Sequence, residues 1–278
     1  MGTLIQLEFQ KLFRRGMTYI GFIAILLIVL IIQVGMFVEG QKLLDFLIKS
    51  LSDVFLLEGK LINNYTVSYI ILNSLWIHIP ILVAIVAGDM VSGEAGRGTF
   101  RLLLVRPVSR AKLLTAKYIA AQAYAAMLVV LLMIMSLGVG RLFFENGDMI
   151  VLMNTINIFD ESDVLWRFLA AFAYGAISMW VVSGLAFTFS SIASNSLGPV
   201  VGSMSVLIVF TIMSNFSIGI FNVIKPFLFT TYLNGWQLFF DDPIEWDKVI
   251  GATLIMMFHI TALYFLSLWI FTKKDITS

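Results

Sequence analysis

One stretch of this chain has the residue types that bind phosphate. Gly93, Gly96 and Gly98 precede Thr99 within residues 88–117, a long polar and basic stretch between two apolar ones. In a phosphate-binding loop that follows a β-strand, glycine amides and a lysine next to the Ser or Thr hold the phosphates. Here no lysine precedes Thr99 and no strand pattern precedes Gly93. The sequence therefore predicts no nucleotide site in this chain.

The two histidines, His78 and His259, are the other residues that could carry chemistry. Met256 and Met257 beside His259 would suit a copper path, but the fourteen methionines are scattered along the chain. We expect each histidine to hydrogen-bond a neighbouring helix or to lie near a polar cavity. The chain has no cysteine and no HExxH or GxSxG pattern. It therefore predicts no catalytic residue, metal site or cofactor site, and no enzyme.

The elements that carry these residues have the composition of a membrane protein. Hydrophobic residues make up 60% of the 278 and charged residues 13%, whereas soluble domains are about half apolar and a quarter charged. A bilayer core about 30 Å thick needs roughly 20 helical residues to cross it. We predict six transmembrane helices, at residues 17–38, 67–87, 118–143, 165–191, 198–221 and 249–271.

The distribution of charge orients these helices. Eleven of the eighteen Lys and Arg residues lie in the N-terminus, in residues 97–117 and in the C-terminal tail, and thirteen of the seventeen acids lie in the opposite connections. Because positive charge marks the cytoplasmic side, both termini, the 88–117 loop and the short uncharged turn at 190–198 are predicted to be cytoplasmic. The external connections are too short for separate domains. The prediction is an all-α integral membrane protein with a single domain, 1–278.

The first 16 residues are predicted to form an amphipathic helix at the membrane interface. The apolar run that follows them is much longer than the roughly 7 to 15 residues of a signal-peptide core, which argues against cleavage. The alternative is that they are only the basic flank of the first span. At helical spacing, two faces separate: Ile5, Phe9 and Leu12 on one, and Glu8, Lys11 and Arg15 on the other.

Four further patterns bear on packing and on energy supply. The aromatic density of residues 222–248 predicts a segment at the membrane interface or a short re-entrant pair of helices. Pro80 is expected to kink or interrupt the second span. Small residues at helix-packing spacing, such as Ala171 with Gly175, are assigned to packing within the chain rather than to a dimer seam. No Asp, Glu or Lys lies deep in a predicted span, which argues against transport driven by protons or sodium.

The 88–117 loop also carries a longer pattern. Its positions are Ser92, Glu94, Gly98, Thr99, Leu103, Leu104, Arg106, Pro107, Ser109 and Arg110, followed by Lys117. This pattern resembles the cytoplasmic signature of the ABC-2 type permeases, the membrane subunits of ATP-binding-cassette exporters, and the six-span plan resembles that family over nearly the whole chain. The glycine of the importer signature falls six residues after its glutamate, whereas Gly98 is four after Glu94, so we favour the exporter.

The resemblance implies a short coupling helix that docks on a separate cytoplasmic ABC ATPase, which would hold the ATP and Mg²⁺. The 190–198 turn would be a second, smaller contact. From the residue types, we expect Glu94 near the start of the short helix and Ser109 to cap the helix that begins at Arg110. The residues assigned to ATPase coupling are Glu94, Gly98, Thr99, Arg101, Pro107, Ser109 and Arg110.

The predicted function is that of a permease subunit that exports a hydrophobic or amphipathic substrate from a bacterial or archaeal cell. Its expected partners are the ATPase, a second permease copy or a sibling, and the lipid bilayer, but no nucleic acid. The substrate-binding residues are unknown at this stage. The alternative is a membrane sensor or regulatory scaffold that binds an ABC ATPase without moving a substrate. ATP-dependent transport by a reconstituted complex separates the two.

Overall fold

The computed structural model describes residues 1–52, 62–98, 108–152, 156–216 and 219–274. The helix Arg110–Met133 continues through a π-helical turn, Ile134–Gly138, and a 3₁₀ turn, Val139–Leu142. Two strands, β1 (Met149–Leu152) and β2 (Ile156–Phe159), and three 3₁₀ segments, Lys225–Phe227, Phe229–Thr231 and Leu233–Phe240, complete the described elements. The α-helices are α1 (Gly2–Phe13), α2 (Gly16–Ser52), α3 (Asn64–Leu75), α4 (Ile79–Gly96), α5 (Arg110–Met133), α6 (Glu161–Ile192), α7 (Leu197–Asn215), α8 (Gly219–Ile224) and α9 (Trp246–Lys273).

Six helical stretches in the described part of the chain are long and apolar enough to cross a membrane. Helix α6 is central, because it packs against α4, α5, α7 and α9. The chain is therefore a mostly helical, multi-pass membrane protein, as its sequence predicts. The six stretches are Gly16–Gly40, Ile79–Gly96, Arg110–Leu142, Glu161–Ile192, Leu197–Asn215 and Trp246–Lys273.

The second predicted span, 67–87, is wrong as a single helix. The twelve residues of α3 are too few to cross a bilayer, and α3 and α4 are separate helices. Pro80 lies in the first turn of α4, where a proline without an N–H is tolerated. The expected interruption at Pro80 is thus confirmed, and the spanning helix begins there and runs on to Gly96.

The predicted 88–117 loop is accordingly too long. Residues 88–94 are a buried continuation of α4, and α5 begins at Arg110. The connection between them is residues 97–109. A Cβ atom on Gly88 would lie 3.2 Å from Pro199 and 3.3 Å from Val200 of α7, so a larger residue would push α4 and α7 apart. The predicted tight turn at 190–198 is confirmed as the connection between Ile192 and Leu197.

Close helix packing also occurs at the predicted small residues. A Cβ on Gly175 of α6 would lie 3.1 Å from the Trp76 ring, and one on Gly202 of α7 would lie 3.0 Å from the Phe189 ring. Ala171 is buried in the core. Gly175 and Gly202 both meet rings of the same chain, which confirms their role in packing within the chain.

The connections at one end of the bundle differ from their prediction. Residues 144–164 contain a β-hairpin, with Met149 opposite Phe159, which an all-α prediction omits. The fifth span ends at Asn215, not at residue 221, and residues 219–240 form α8 and the 3₁₀ segments rather than a pair of α-helices. Four of their aromatic side chains are buried, those of Phe229, Trp236, Phe239 and Phe240. The ring centroid of Trp236 lies 5.6 Å from that of Trp76.

Contacts show which elements lie at each end of the helical bundle. The Lys274 ammonium donates to the carbonyls of Ser191, Ile192 and Ala193, so the end of α9 lies beside the α6–α7 turn. A 28-residue helix is about 42 Å long, which puts Trp246 at the opposite end with the hairpin and the 3₁₀ segments. We call the end that holds the 97–109 connection the loop end, and the other the far end.

Candidate functional site

Charged side chains from three helices and from one turn meet inside the loop end. Helix α1 contributes two of them, the turn between α1 and α2 contributes one, the last turns of α4 contribute two, and α5 contributes one. Helix α1 reaches the site because it packs against α5 and buries Leu12 in the core. We call the group the ion cluster; its members are Glu8, Lys11, Arg15, Asp89, Glu94 and Lys117.

Lys117 is the centre of the ion cluster. Its side chain is 0% exposed, and its Nζ lies 2.8 Å from Glu8 Oε2 and 2.7 Å from Glu94 Oε2. A buried cation is tolerated only where carboxylates or other acceptors replace the lost water. Lys117 therefore joins α1 to α4 through α5, and the three helices share one buried ionic contact.

Lys11, which is partly exposed, contacts the same two carboxylates. Its Nζ is 2.7 Å from Glu8 Oε1 and 3.1 Å from Glu94 Oε1. Burial acts to lower the pKa of Lys11, but the hydrogen bond to Glu8 and the charges of Glu94 and Glu8 outweigh it, so the pKa lies above its ordinary value. Glu8 is thus buried between two lysines, and the predicted polar face of α1 makes ion pairs with α4 and α5.

Asp89 links the cluster to both connections at the loop end. Its Oδ2 lies 2.5 Å from Arg15 Nη1 and 3.9 Å from Arg97 Nη2. Its Oδ1 accepts a hydrogen bond from the Ser196 hydroxyl at 2.5 Å. Arg97 begins the 97–109 connection and Ser196 ends the α6–α7 turn. Both connections therefore contact the same carboxylate.

Glu94 is the first of the predicted coupling residues, and its predicted position is wrong. It lies near the C-terminal end of α4, where the helix dipole disfavours a negative charge, and not near the start of a short helix. The three cations around it compensate for this: Lys11, Lys117 and, at 3.9 Å, Arg15. Its role is to hold the last turn of α4 inside the bundle.

The other predicted coupling residues fall on both sides of the connection. Gly98 has φ = +67°, a left-handed conformation that glycine adopts without strain, which agrees with the turn expected there. The Ser109 side chain accepts from the Lys112 N–H and caps α5 as predicted. Thr99, Arg101 and Pro107 lie outside the described residues, and so does the predicted coupling helix.

Arg110 contacts the C-terminal segment at the loop end. Its Nη1 donates to the carbonyls of Thr272 at 3.3 Å and of Lys274 at 3.0 Å. A cation at this position also complements the negative end of α9. Arg110 therefore ties the start of α5 to α9, as Lys274 ties α9 to α6.

Sequence reasoning missed most of the ion cluster. Asp89 and Glu94 were assigned to a water-facing loop, although both belong to an uninterrupted helical stretch. The available signal was a pair of acids on the last turns of an apolar helix, together with a lysine two turns inside the next span. Their partners could not be read from spacing, since Glu8 and Lys117 are 109 positions apart.

The residue types of the ion cluster are those of a structural contact between helices. Its three carboxylates face three cations, and each member forms at least one ion pair within the cluster. Among the described residues, no group of three or more His, Asp or Glu is placed to hold a metal ion. The histidines lie elsewhere: His259 contacts the Phe227 carbonyl through Nε2 at 3.2 Å, as expected of a helix-linking histidine, and His78 contacts the Ser74 carbonyl of the preceding turn.

The family described as "Protein of unknown function (DUF2705)" matches residues 26–277. The chain belongs to the DUF2705 family. It is also similar to the uncharacterized protein YhcI of Bacillus subtilis (strain 168), with 28% identity over 208 residues that cover 70% of this chain and 63% of YhcI. The chain thus spans somewhat less than two thirds of that relative. The DUF2705 match includes Asp89, Glu94 and Lys117, and it begins after α1.

Proposed function

We propose that this chain is the permease subunit of an ABC transporter and moves a hydrophobic or amphipathic substrate with ATP hydrolysed by a separate subunit. The observation that carries the proposal is the ion cluster at the base of the 97–109 connection. Glu94 precedes the connection and Lys117 follows it, and the two pair at 2.7 Å. A force applied to the connection would therefore act on α4 and α5 together, which is what a coupling loop requires.

The α6–α7 turn supports the same proposed function. Ile192 and Leu197 are exposed at its two ends, Leu197 by 75%, beside the Asp89–Ser196 hydrogen bond. Exposed apolar side chains at the end of a membrane bundle are suited to burial against a soluble partner. An ATPase that contacts both connections would therefore contact a single surface, because both connections interact with the Asp89 carboxylate.

The remaining parts of the proposal follow from the sequence pattern and the relative. The loop end would face the cytoplasm, because eleven of the eighteen basic residues lie in the segments assigned to it. The similarity to a Bacillus subtilis protein favours a bacterial plasma membrane. A second copy or a sibling chain would complete the translocation path, and the nucleotide and Mg²⁺ would be bound by the ATPase.

Co-purification tests the partnership. The tagged chain, purified in mild detergent from its native membrane, is expected to retain a protein that mass spectrometry identifies by a GxxxxGK[ST] phosphate loop. Arg101→Glu should release that protein, because Arg101 is one of the residues assigned to ATPase coupling. Arg14→Glu is the matched control, since Arg14 is exposed at the C-terminal end of α1 and is neither an assigned coupling residue nor a member of the ion cluster.

Two results would contradict the proposal. Recovery of no protein with a phosphate loop from wild-type membranes would argue against the ABC partnership itself. Equal recovery with Arg101→Glu and wild type would argue against the loop as its contact. A retained ATPase that hydrolyses ATP without moving any substrate would instead favour the regulatory scaffold.

A further inference from the structure

A cavity of about 510 Å³ opens at the far end, between the last two 3₁₀ segments and the first half of α9. Small-molecule sites in proteins have volumes of about 300–1,000 Å³. Leu238, Ala252 and Ile255 provide an apolar wall, and Gly251 leaves open space because it has no side chain. The cavity is therefore large enough for a drug-sized molecule and apolar on one side.

Charged groups line the other side of the cavity, and two of the three are already compensated. Lys248 pairs with Glu245, with Nζ 2.6 Å from Oε2. Asp247 stands in the first turn of α9, where the helix dipole favours a negative charge. Asp241 is half-buried, and its carboxylate has no hydrogen bond or ion pair to any of the described residues.

Arg167 contacts the main chain of Asp241 rather than its carboxylate. Arg167 donates from Nη1 to the main-chain carbonyl of Asp241 at 3.1 Å, and its Nε pairs with the Asp163 carboxylate at 2.7 Å. Burial raises the pKa of Asp241, and the charge of Glu245 raises it further, against the opposing effect of Lys248. A cation that entered the cavity would relieve this unfavourable environment.

We propose that this cavity is a binding site for an amphipathic organic cation, whose charged group faces Asp241 and whose apolar part lies on Leu238, Ala252 and Ile255. The combination of a ligand-sized volume, an apolar wall and one uncompensated carboxylate defines that chemistry. The site is independent of the proposed ATPase partnership, because it lies at the opposite end of the bundle and needs the chain alone.

Two ions of equal size and opposite charge test the site. Binding of tetraphenylphosphonium and of tetraphenylborate to the purified full-length chain is measured by equilibrium dialysis in a neutral maltoside detergent. We expect saturable binding of the cation, at least about tenfold tighter than that of the anion, since only the cation gains from a partly desolvated carboxylate. Equal affinity, or tighter binding of the anion, would overturn the proposal.

Three variants assign the binding to this cavity. Asp241→Asn should weaken tetraphenylphosphonium binding about tenfold. Asp242→Asn, which removes the same charge from an exposed neighbour outside the cavity lining, should leave it unchanged. Gly251→Leu should abolish it by filling the space, and a Cβ at Gly251 meets no atom within 4 Å, so the variant is expected to fold.

The variants also separate binding in the cavity from partition into detergent. Binding that survives Gly251→Leu would be partition and would overturn the proposal, as would an unchanged affinity in Asp241→Asn. Addition of phosphatidylethanolamine or of phosphatidylglycerol then identifies the source of the cation. Competition by the amine lipid alone supports the site with a lipid headgroup as its occupant, and competition by neither supports it with a soluble amphiphile.

Discussion

The buried ion pairs of Lys117 stabilise the loop end. Replacing Lys117 with methionine, which keeps most of the volume but removes the charge, takes from Glu8 and Glu94 the buried cation that they share. Loss of one partner from a buried ion pair costs about 3–5 kcal/mol. We therefore expect Lys117→Met to lower the free energy of unfolding by about 3 kcal/mol, measured by tryptophan fluorescence during denaturation in detergent.

The control for this prediction is Lys112→Met on the same helix. Lys112 is exposed and stands outside the ion cluster, so its replacement should change stability by less than about 0.5 kcal/mol. Adding Glu8→Gln to Lys117→Met should recover part of the loss, because the second change removes a carboxylate left without its lysine. Equal stability of Lys117→Met and Lys112→Met would contradict the assigned pairing.

At the scale of helices, the packing of α6 against the α3–α4 break depends on the absence of a side chain at Gly175. Valine at this position would press on Trp76, whose ring is held by Trp236 at 5.6 Å. Overpacking of this kind costs about 1–3 kcal/mol, which the same unfolding assay measures. Gly35→Val is the matched control, because a Cβ at Gly35 of α2 meets nothing within 4 Å. Similar losses in both variants would mean that helix propensity, not packing, is responsible.

The elements differ in how far their sequence predicts them. Membrane spans follow from length and hydropathy, which are local properties, and five of the six predicted spans fall largely on one spanning helix each, whereas the second is divided between α3 and α4. The cap at Ser109 and the turn at Gly98 were also predictable, since each depends on one residue type. The buried end of α4 was not, because burial of Asp89 and Glu94 requires cations from other helices. Charge counting assigns such acids to water unless their distant partners are known.

At the scale of the whole molecule, the proposed orientation makes a direct prediction. The chain has no cysteine, so single cysteines report their side of the membrane without background. Ser194→Cys, in the exposed α6–α7 turn, should react with a membrane-impermeant maleimide only after the cells are permeabilised. Glu161→Cys, at the exposed start of α6, should react in intact cells. The reverse pattern would contradict a cytoplasmic loop end.

The central claim is that ATP hydrolysed by a partner drives movement of a substrate through this protein. The most direct test reconstitutes the co-purified complex in lipid vesicles and follows cationic, neutral and anionic fluorescent amphiphiles after ATP and Mg²⁺ are added. We predict that at least one amphiphile moves with ATP, and that its movement stops when the phosphate-loop lysine of the partner is replaced. Steady ATP hydrolysis by the complex with no movement of any amphiphile would contradict the claim.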